Sequence, residues 1–208
     1  DKCLVEFKSK IESMGLDIQN KLITIKALWG AGKTKHVVTT ILKKCQQNSQ
    51  KVLIVTENNS LNTELTNKLK NLGFDAQSHQ DHKNKITEAD VQICSLESIN
   101  KLGSVDVIIL DEYETICSHF SSTTLNQNNN TDYSIFKKLE SLLLSCKKVL
   151  CLDADISLPR VQWMEKLLGV KSDSYGLLDN NFSEYSFNYY YSYNQFNTQF
   201  MYTFQTTN

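Results

Sequence analysis

Short apolar runs recur along this chain, each followed by a longer stretch whose apolar residues fall three or four apart. The runs are Leu22–Ala27, Val52–Thr56, Val91–Cys94, Val105–Leu110 and Lys148–Leu152. Their length and near-continuous apolar character predict buried β-strands. Between them, Lys33–Cys45 carries Val37, Val38, Ile41 and Leu42 at helical spacing, and Leu61, Leu65 and Leu69 stand at i, i+4 and i+8. Tyr133–Leu144 and Leu158–Leu168 predict two further helices, and Ser95–Leu102 a short one. Leu4, Val5, Phe7, Ile11 and Met14 predict an amphipathic helix leading in over residues 1–20. Strands that are apolar throughout and alternate with helices predict an α/β fold. Its sheet is mostly parallel, with helices on both faces and right-handed crossovers.

Three stretches break this rhythm. Gln77–Lys85 is polar and predicts a loop, on which His79 and His82 are expected to be solvated. Ser121–Thr131 is Asn-rich, through Asn126, Asn128, Asn129 and Asn130, and predicts a disordered loop. Near the end, Phe187, Tyr189, Tyr191 and Tyr193 alternate with polar residues, and Phe196, Phe200 and Phe204 continue the aromatic series. This predicts an extended segment that covers a sheet edge or leads to another domain. Base stacking by the aromatics is the alternative reading. The expected division is a lead-in helix over 1–20, the main α/β domain over 21–170 and an aromatic-rich extension over 171–208.

Composition narrows the class. With 208 residues, 40% hydrophobic and 22% charged, the chain is long enough for one well-cored α/β domain. A formal net charge of -1 gives no global basic signature for nucleic acid, though a local patch suffices for many strand-binding proteins. No run is apolar enough to span a bilayer and no signal peptide opens the chain. The first residue is Asp1, so a piece of a longer protein is expected. Cysteines stand at 3, 45, 94, 117, 146 and 151 without a Cys-x-x-Cys pair, which predicts buried thiols and a reducing, intracellular setting.

The strongest chemical signal is Ala27-Leu-Trp-Gly-Ala-Gly-Lys-Thr34, between a predicted strand and a predicted helix. A loop there aims backbone N–H groups and a helix N-terminus at anionic oxygens. Gly30, Ala31 and Gly32 allow close approach to phosphate, Lys33 reaches the β- and γ-phosphates, and Thr34 offers its hydroxyl to Mg²⁺. Ala27 stands where such loops usually carry their first glycine. The second signal is Val107-Ile-Ile-Leu-Asp-Glu112, a buried strand delivering two carboxylates at its C-terminal end. Asp111 is the candidate Mg²⁺ ligand and Glu112 the candidate for activating the attacking water. The third is Leu150-Cys-Leu-Asp-Ala-Asp155, in which Asp153 and Asp155 either sense the γ-phosphate or form a turn that caps the next helix. Mg-ATP is the expected ligand.

Taken together, Gly-Ala-Gly-Lys-Thr, Asp-Glu-Tyr-Glu (111–114) and Asp-Ala-Asp (153–155) resemble motifs I, II and III of superfamily 2 helicases. The match is to the herpesvirus type of replication origin-binding protein, across roughly residues 20–170. Val52–Thr56 followed by Ser60-Leu61, Val91–Leu96, the stretch from Val107 to Phe120, and Lys148–Ser157 resemble further elements of that family. The resemblance implies a RecA-like fold and ATP-driven translocation on DNA, single-stranded or origin duplex. It also implies coupling of nucleotide state to DNA through Asp153 or Asp155, and a nuclear site fits replication. Glu57-Asn58-Asn59 stands where the family usually carries an Arg. The resemblance further implies a second RecA-like domain supplying an Arg, whereas the only Arg in this sequence is Arg160. The chain alone is therefore expected to turn over weakly or not at all. Two other readings are a P-loop phosphotransferase, against which the scarcity of Arg argues, and a truncated, non-catalytic ATP-binding module.

Overall fold

The computed structural model describes residues 21–26, 33–57, 59–79, 88–119, 131–170, 175–182, 185–193 and 198–206. The predicted lead-in helix, the Asn-rich stretch and the glycine-containing part of the phosphate loop, residues 27–32, lie outside the described residues.

Six strands form one sheet: β1 (Leu22–Lys26), β2 (Val52–Thr56), β3 (Ala76–Ser78), β4 (Val91–Ser95), β5 (Val107–Asp111) and β6 (Lys148–Asp153). Their order in the sheet is β1-β6-β5-β2-β4-β3. The sheet is parallel and helices fill the connections, so the α/β architecture expected from the sequence is the one observed. By contact density the chain divides into two units, residues 1–41 with 150–208, and residues 42–149.

The unit of residues 42–149 holds β2 to β5. Val52 pairs in parallel with Val91 on one side and with Val107 on the other, and the register continues to Val55, opposite Cys94 and Leu110. All five residues of β2 and of β4 are buried, as apolar runs covered on both faces must be. Asp106 anchors the entry to β5. Its Oδ2 accepts the Lys51 N–H at 2.9 Å, and its Oδ1 meets Lys147 Nζ at 2.8 Å. The Lys147 ammonium, followed by the Lys51 N–H and both lysine charges, holds the Asp106 carboxyl below the usual carboxylate range against a smaller opposing effect of burial.

Among the described residues three α-helices belong wholly to this unit, α2 (Asn59–Asn71), α3 (Tyr113–His119) and α4 (Thr131–Ser145), beside a 3-10 helix at Leu96–Lys101 where the sequence predicted a short helix. The buried side of α2 differs from expectation. It carries Asn62, Leu65, Thr66 and Leu69, whereas Leu61 is 40% exposed. Asn62 can lie inside because Thr56 donates its hydroxyl to Asn62 Oδ1, which satisfies both polar groups where β2 meets the helix. The predicted loop over 77–85 is also corrected at its start. Ala76–Ser78 is strand β3, paired in parallel with Val91–Ile93, and His79 is 5% exposed rather than solvated. Three residues were too few for periodicity to register.

In the other unit, β1 leads toward a helical stretch that starts at Lys33. It opens as a π-helical segment, Lys33–Val38, and continues as α1 (Thr39–Gln47), which runs on into the second unit. β6 leads to α5 (Leu158–Leu168), which ends at Gly169 in the left-handed conformation. The final segment is not one extended strand but three. β7 (Tyr175–Phe182), β8 (Tyr185–Tyr193) and β9 (Thr198–Thr206) form a separate antiparallel sheet, with Phe187 opposite Phe204 and Tyr189 opposite Tyr202. The aromatic alternation was read as a single run because the sequence between Phe182 and Thr198 holds no Gly or Pro to divide it.

Candidate functional site

Lys33 opens the helical stretch after β1, where the phosphate-loop reading requires a cation. Its residue is 6% exposed although lysine ordinarily lies at the surface. A π-turn widens the start of this helix, a geometry frequent at functional sites. Thr34 belongs to the same turn. Gly30, Ala31 and Gly32 lie outside the described residues.

In the same unit, Asp153 ends β6 and is 4% exposed. Its Oδ1 accepts the Asp155 N–H at 2.9 Å, so the first acid shapes the turn that presents the second. Asp155 itself is exposed. Neither acid caps the following helix. The N-cap of α5 is Ser157, and Pro159 lies in its first turn. Of the reading that had an aspartate turn capping the next helix, the turn is observed and the cap is not.

In the unit of residues 42–149, Asp111 is the last residue of β5 and Glu112 the single residue before α3. Both are half-buried. β5 delivers the pair at the C-terminal end of a strand flanked on both sides, which is the ligand-binding end of an open parallel sheet. Glu112 has a φ of 62°, in the left-handed region that non-glycine residues rarely adopt.

The donor chemistry fits a metal–nucleotide complex. A buried ammonium suits phosphate oxygens, and a half-buried carboxylate at a strand end suits a hard divalent ion. Among the described residues no group of three or more His, Cys, Asp or Glu is arranged to hold a metal by itself.

Several polar groups escaped the sequence reading. His79 Nε2 and Ser95 Oγ are buried without a hydrogen-bond partner, and His79 has its pKa lowered by burial and then by the Lys101 charge. For Ser95 the available signal was a polar residue ending an apolar strand run, which is weak alone, and His79 stands among polar neighbours that gave none. The cysteines behave as expected of buried thiols. Cys45, Cys94, Cys117, Cys146 and Cys151 are buried and outside any disulfide, and burial pushes the Cys45 thiol up to about 11. Among the described residues no helix is long and apolar enough to cross a membrane.

Comparison with known proteins gives the family and the fold. Residues 5–188 match the herpes family described as "Origin of replication binding protein". The chain is 30% identical over 178 residues to "Uncharacterized putative helicase R8" of Acanthamoeba polyphaga mimivirus, an alignment that covers 79% of this chain and 16% of that protein. This sequence therefore spans a small part of its relative's length. Among solved structures, the Sulfolobus solfataricus SWI2/SNF2 ATPase core in complex with dsDNA aligns with a TM-score of 0.53 at 14% identity, covering 77% of this chain and 33% of that one. An S. cerevisiae dbp5 structure that includes ADP aligns with a TM-score of 0.59 at 11% identity, covering 78% and 45%. At such identities the likeness establishes the fold alone, the RecA-like α/β fold. With the family match extending over most of its length, the chain belongs to the herpes-type origin of replication binding protein family.

Proposed function

We propose that this chain binds Mg-ATP and forms the first of two RecA-like motor domains in an ATP-driven DNA helicase or translocase that acts at replication origins. The observation that carries the reading is the Asp111-Glu112 pair at the C-terminal end of β5, in a chain whose Lys33 is buried at the opening of the helix after β1. Two related folds support the ligand classes by their own contents, one holding double-stranded DNA and the other ADP. In this reading residues 21–170 are the ATP-binding domain, 1–20 lead in, and 171–208 lead toward the second domain. The protein works in an intracellular, soluble setting, in the nucleus where the replicated DNA is nuclear.

Each group has a task set by its chemistry. The backbone of Gly30, Ala31 and Gly32 cradles phosphate, and Lys33 offsets the charge of its terminal oxygens. Thr34 and Asp111 hold Mg²⁺, which when bound shields phosphate charge. Glu112 orients and deprotonates the attacking water. Asp155, exposed on a turn shaped by Asp153, relays nucleotide state toward bound DNA.

ATP hydrolysis by the purified chain, with and without single-stranded DNA, tests the proposal. Lys33→Ala is expected to lower ATP affinity by about 100-fold, the scale of a lost charge-assisted phosphate contact. Undiminished binding would remove the central claim. Glu112→Gln is expected to leave ATP binding intact and to reduce DNA-stimulated turnover at least about 100-fold, within the range for a lost general base. Persistent turnover would move the water-activating role to another residue.

A further inference from the structure

β5 ends at Asp111 and α3 begins at Tyr113, so the link between them is one residue long. Strand-to-helix links in α/β units usually take two to six residues. Here the change of direction falls on Glu112, whose φ of 62° brings Cβ against its own carbonyl. Such a conformation persists only where the surroundings impose it. Among the described residues the other non-glycine with positive φ is Ser49, which lies in an exposed turn.

Two features impose the conformation at Glu112. Its carbonyl accepts the Ile116 N–H at 3.0 Å, so Glu112 is already tied into the first turn of α3. The next residue, Tyr113, is 1% exposed and bulkier than the other fully buried side chains. Tyr113, Ile116 and Cys117 make the buried side of α3 at the i, i+3, i+4 spacing that seats a helix. A ring of that size in a close-packed interior fixes the backbone one residue upstream.

We propose that Tyr113 is a positioning residue: its buried ring holds Glu112 in the left-handed conformation and so sets the direction in which the Glu112 side chain leaves the chain. This rests on the reading of Glu112 as the water-activating group. Tyr113 touches neither water nor nucleotide in this account. It acts through its neighbour.

The test uses melting of the full chain, which needs no turnover. At an ordinary position alanine is more stable than glycine, because glycine loses more backbone freedom on folding. At position 112 the order inverts: Glu112→Gly melts above Glu112→Ala by roughly 2–4 °C, the shift that left-handed relief gives a chain of this size. In a Tyr113→Met background the inversion disappears, because the two positions are coupled. In a Tyr113→Phe background, which keeps the ring, it remains. Alanine melting at or above glycine in the parent background overturns the proposal. So does an unchanged glycine advantage after Tyr113→Met.

A second readout separates this claim from the one beneath it. Tyr113→Met is expected to lower kcat for ATP about ten-fold with KM near the parent value, as misaligned groups do, and Tyr113→Phe to restore it. Loss of KM and kcat together, unrescued by Tyr113→Phe, overturns positioning in favour of a structural role. If the melting inversion holds but Glu112→Gln leaves turnover unchanged, the role of Glu112 fails while the strain assignment stands.

Discussion

β5 and β6 look alike as sequence. Each is a short apolar run that ends in an aspartate, and each is followed by a second acid and a helix. The structure turns them differently. After β5 the chain enters α3 through Glu112 alone, in a left-handed conformation. After β6 it takes four residues, Ala154 to Ser157, and the turn is closed by a hydrogen bond from the Asp155 N–H to Asp153 Oδ1. One link stores backbone strain and leaves both its acids half-buried. The other spends its first acid on the turn and exposes the second. A short link leaves one residue to absorb the whole change in direction, whereas a longer one lets a side chain do it. The contrast separates two roles that the same acidic pattern can hold.

The largest effect that would sharpen this comparison lies at Asp153. Asp153→Ala removes a buried acceptor and leaves the Asp155 N–H without its partner, an expected loss of about 2–3 kcal/mol. Asp153→Asn keeps an amide oxygen in place and is expected to lose less than half of that. Urea midpoints for the two variants decide the matter. Equal losses would mean that charge, rather than the turn, keeps an acid at this position.

A smaller effect is expected at Gly169, which closes α5 with a φ of 67°, close to the value at Glu112. A Cβ added there meets nothing within 4 Å, so only the backbone term remains. Gly169→Ala is expected to lose about 1 kcal/mol. It calibrates the strain assigned to Glu112, since both positions ask for the same backbone. A thermal melt that shows no loss at Gly169 would weaken that assignment.

The smallest effect concerns the other end of β5. The Asp106 carboxyl is held below its ordinary range, chiefly by Lys147. A folded-state pKa below the unfolded one means that the contribution is present above the ordinary carboxylate pKa and is lost as pH falls through the folded value. Asp106→Asn is therefore expected to lose less than about 1 kcal/mol at neutral pH, since the pair is partly exposed. The gap from the parent should close in strongly acidic solution. Urea melts across that range read it directly. A gap that persisted in acid would assign the loss to hydrogen-bond geometry instead of charge.

How far the sequence could be read depended on how local each signal was. Strands β2, β5 and β6 were found because each holds four consecutive apolar residues, a run too short for a helix that is best housed in a covered sheet. Helix α2 was found from its period, but its inward side was misjudged. Leu61 is outside and Asn62 inside because Thr56, at the end of the neighbouring strand β2, supplies the hydroxyl that makes burial of an amide tolerable. His79 was placed in solvent since polar neighbours surround it in the chain. Its burial depends on β4, which pairs with β3 and accepts the His79 N–H at Ile93.

By itself the sequence determined the α/β class, a lysine at the opening of the helical stretch after β1 and the two strand ends that carry acids. These follow from patterns a few residues long, each with one dominant physical solution. Only the tertiary structure decided the strand order, the left-handed Glu112, the turn made by Asp153, and the division of the aromatic end into three strands. Each of those depends on which groups meet across many residues of chain. A run of side chains states what must be buried or bonded, and packing alone chooses the partner.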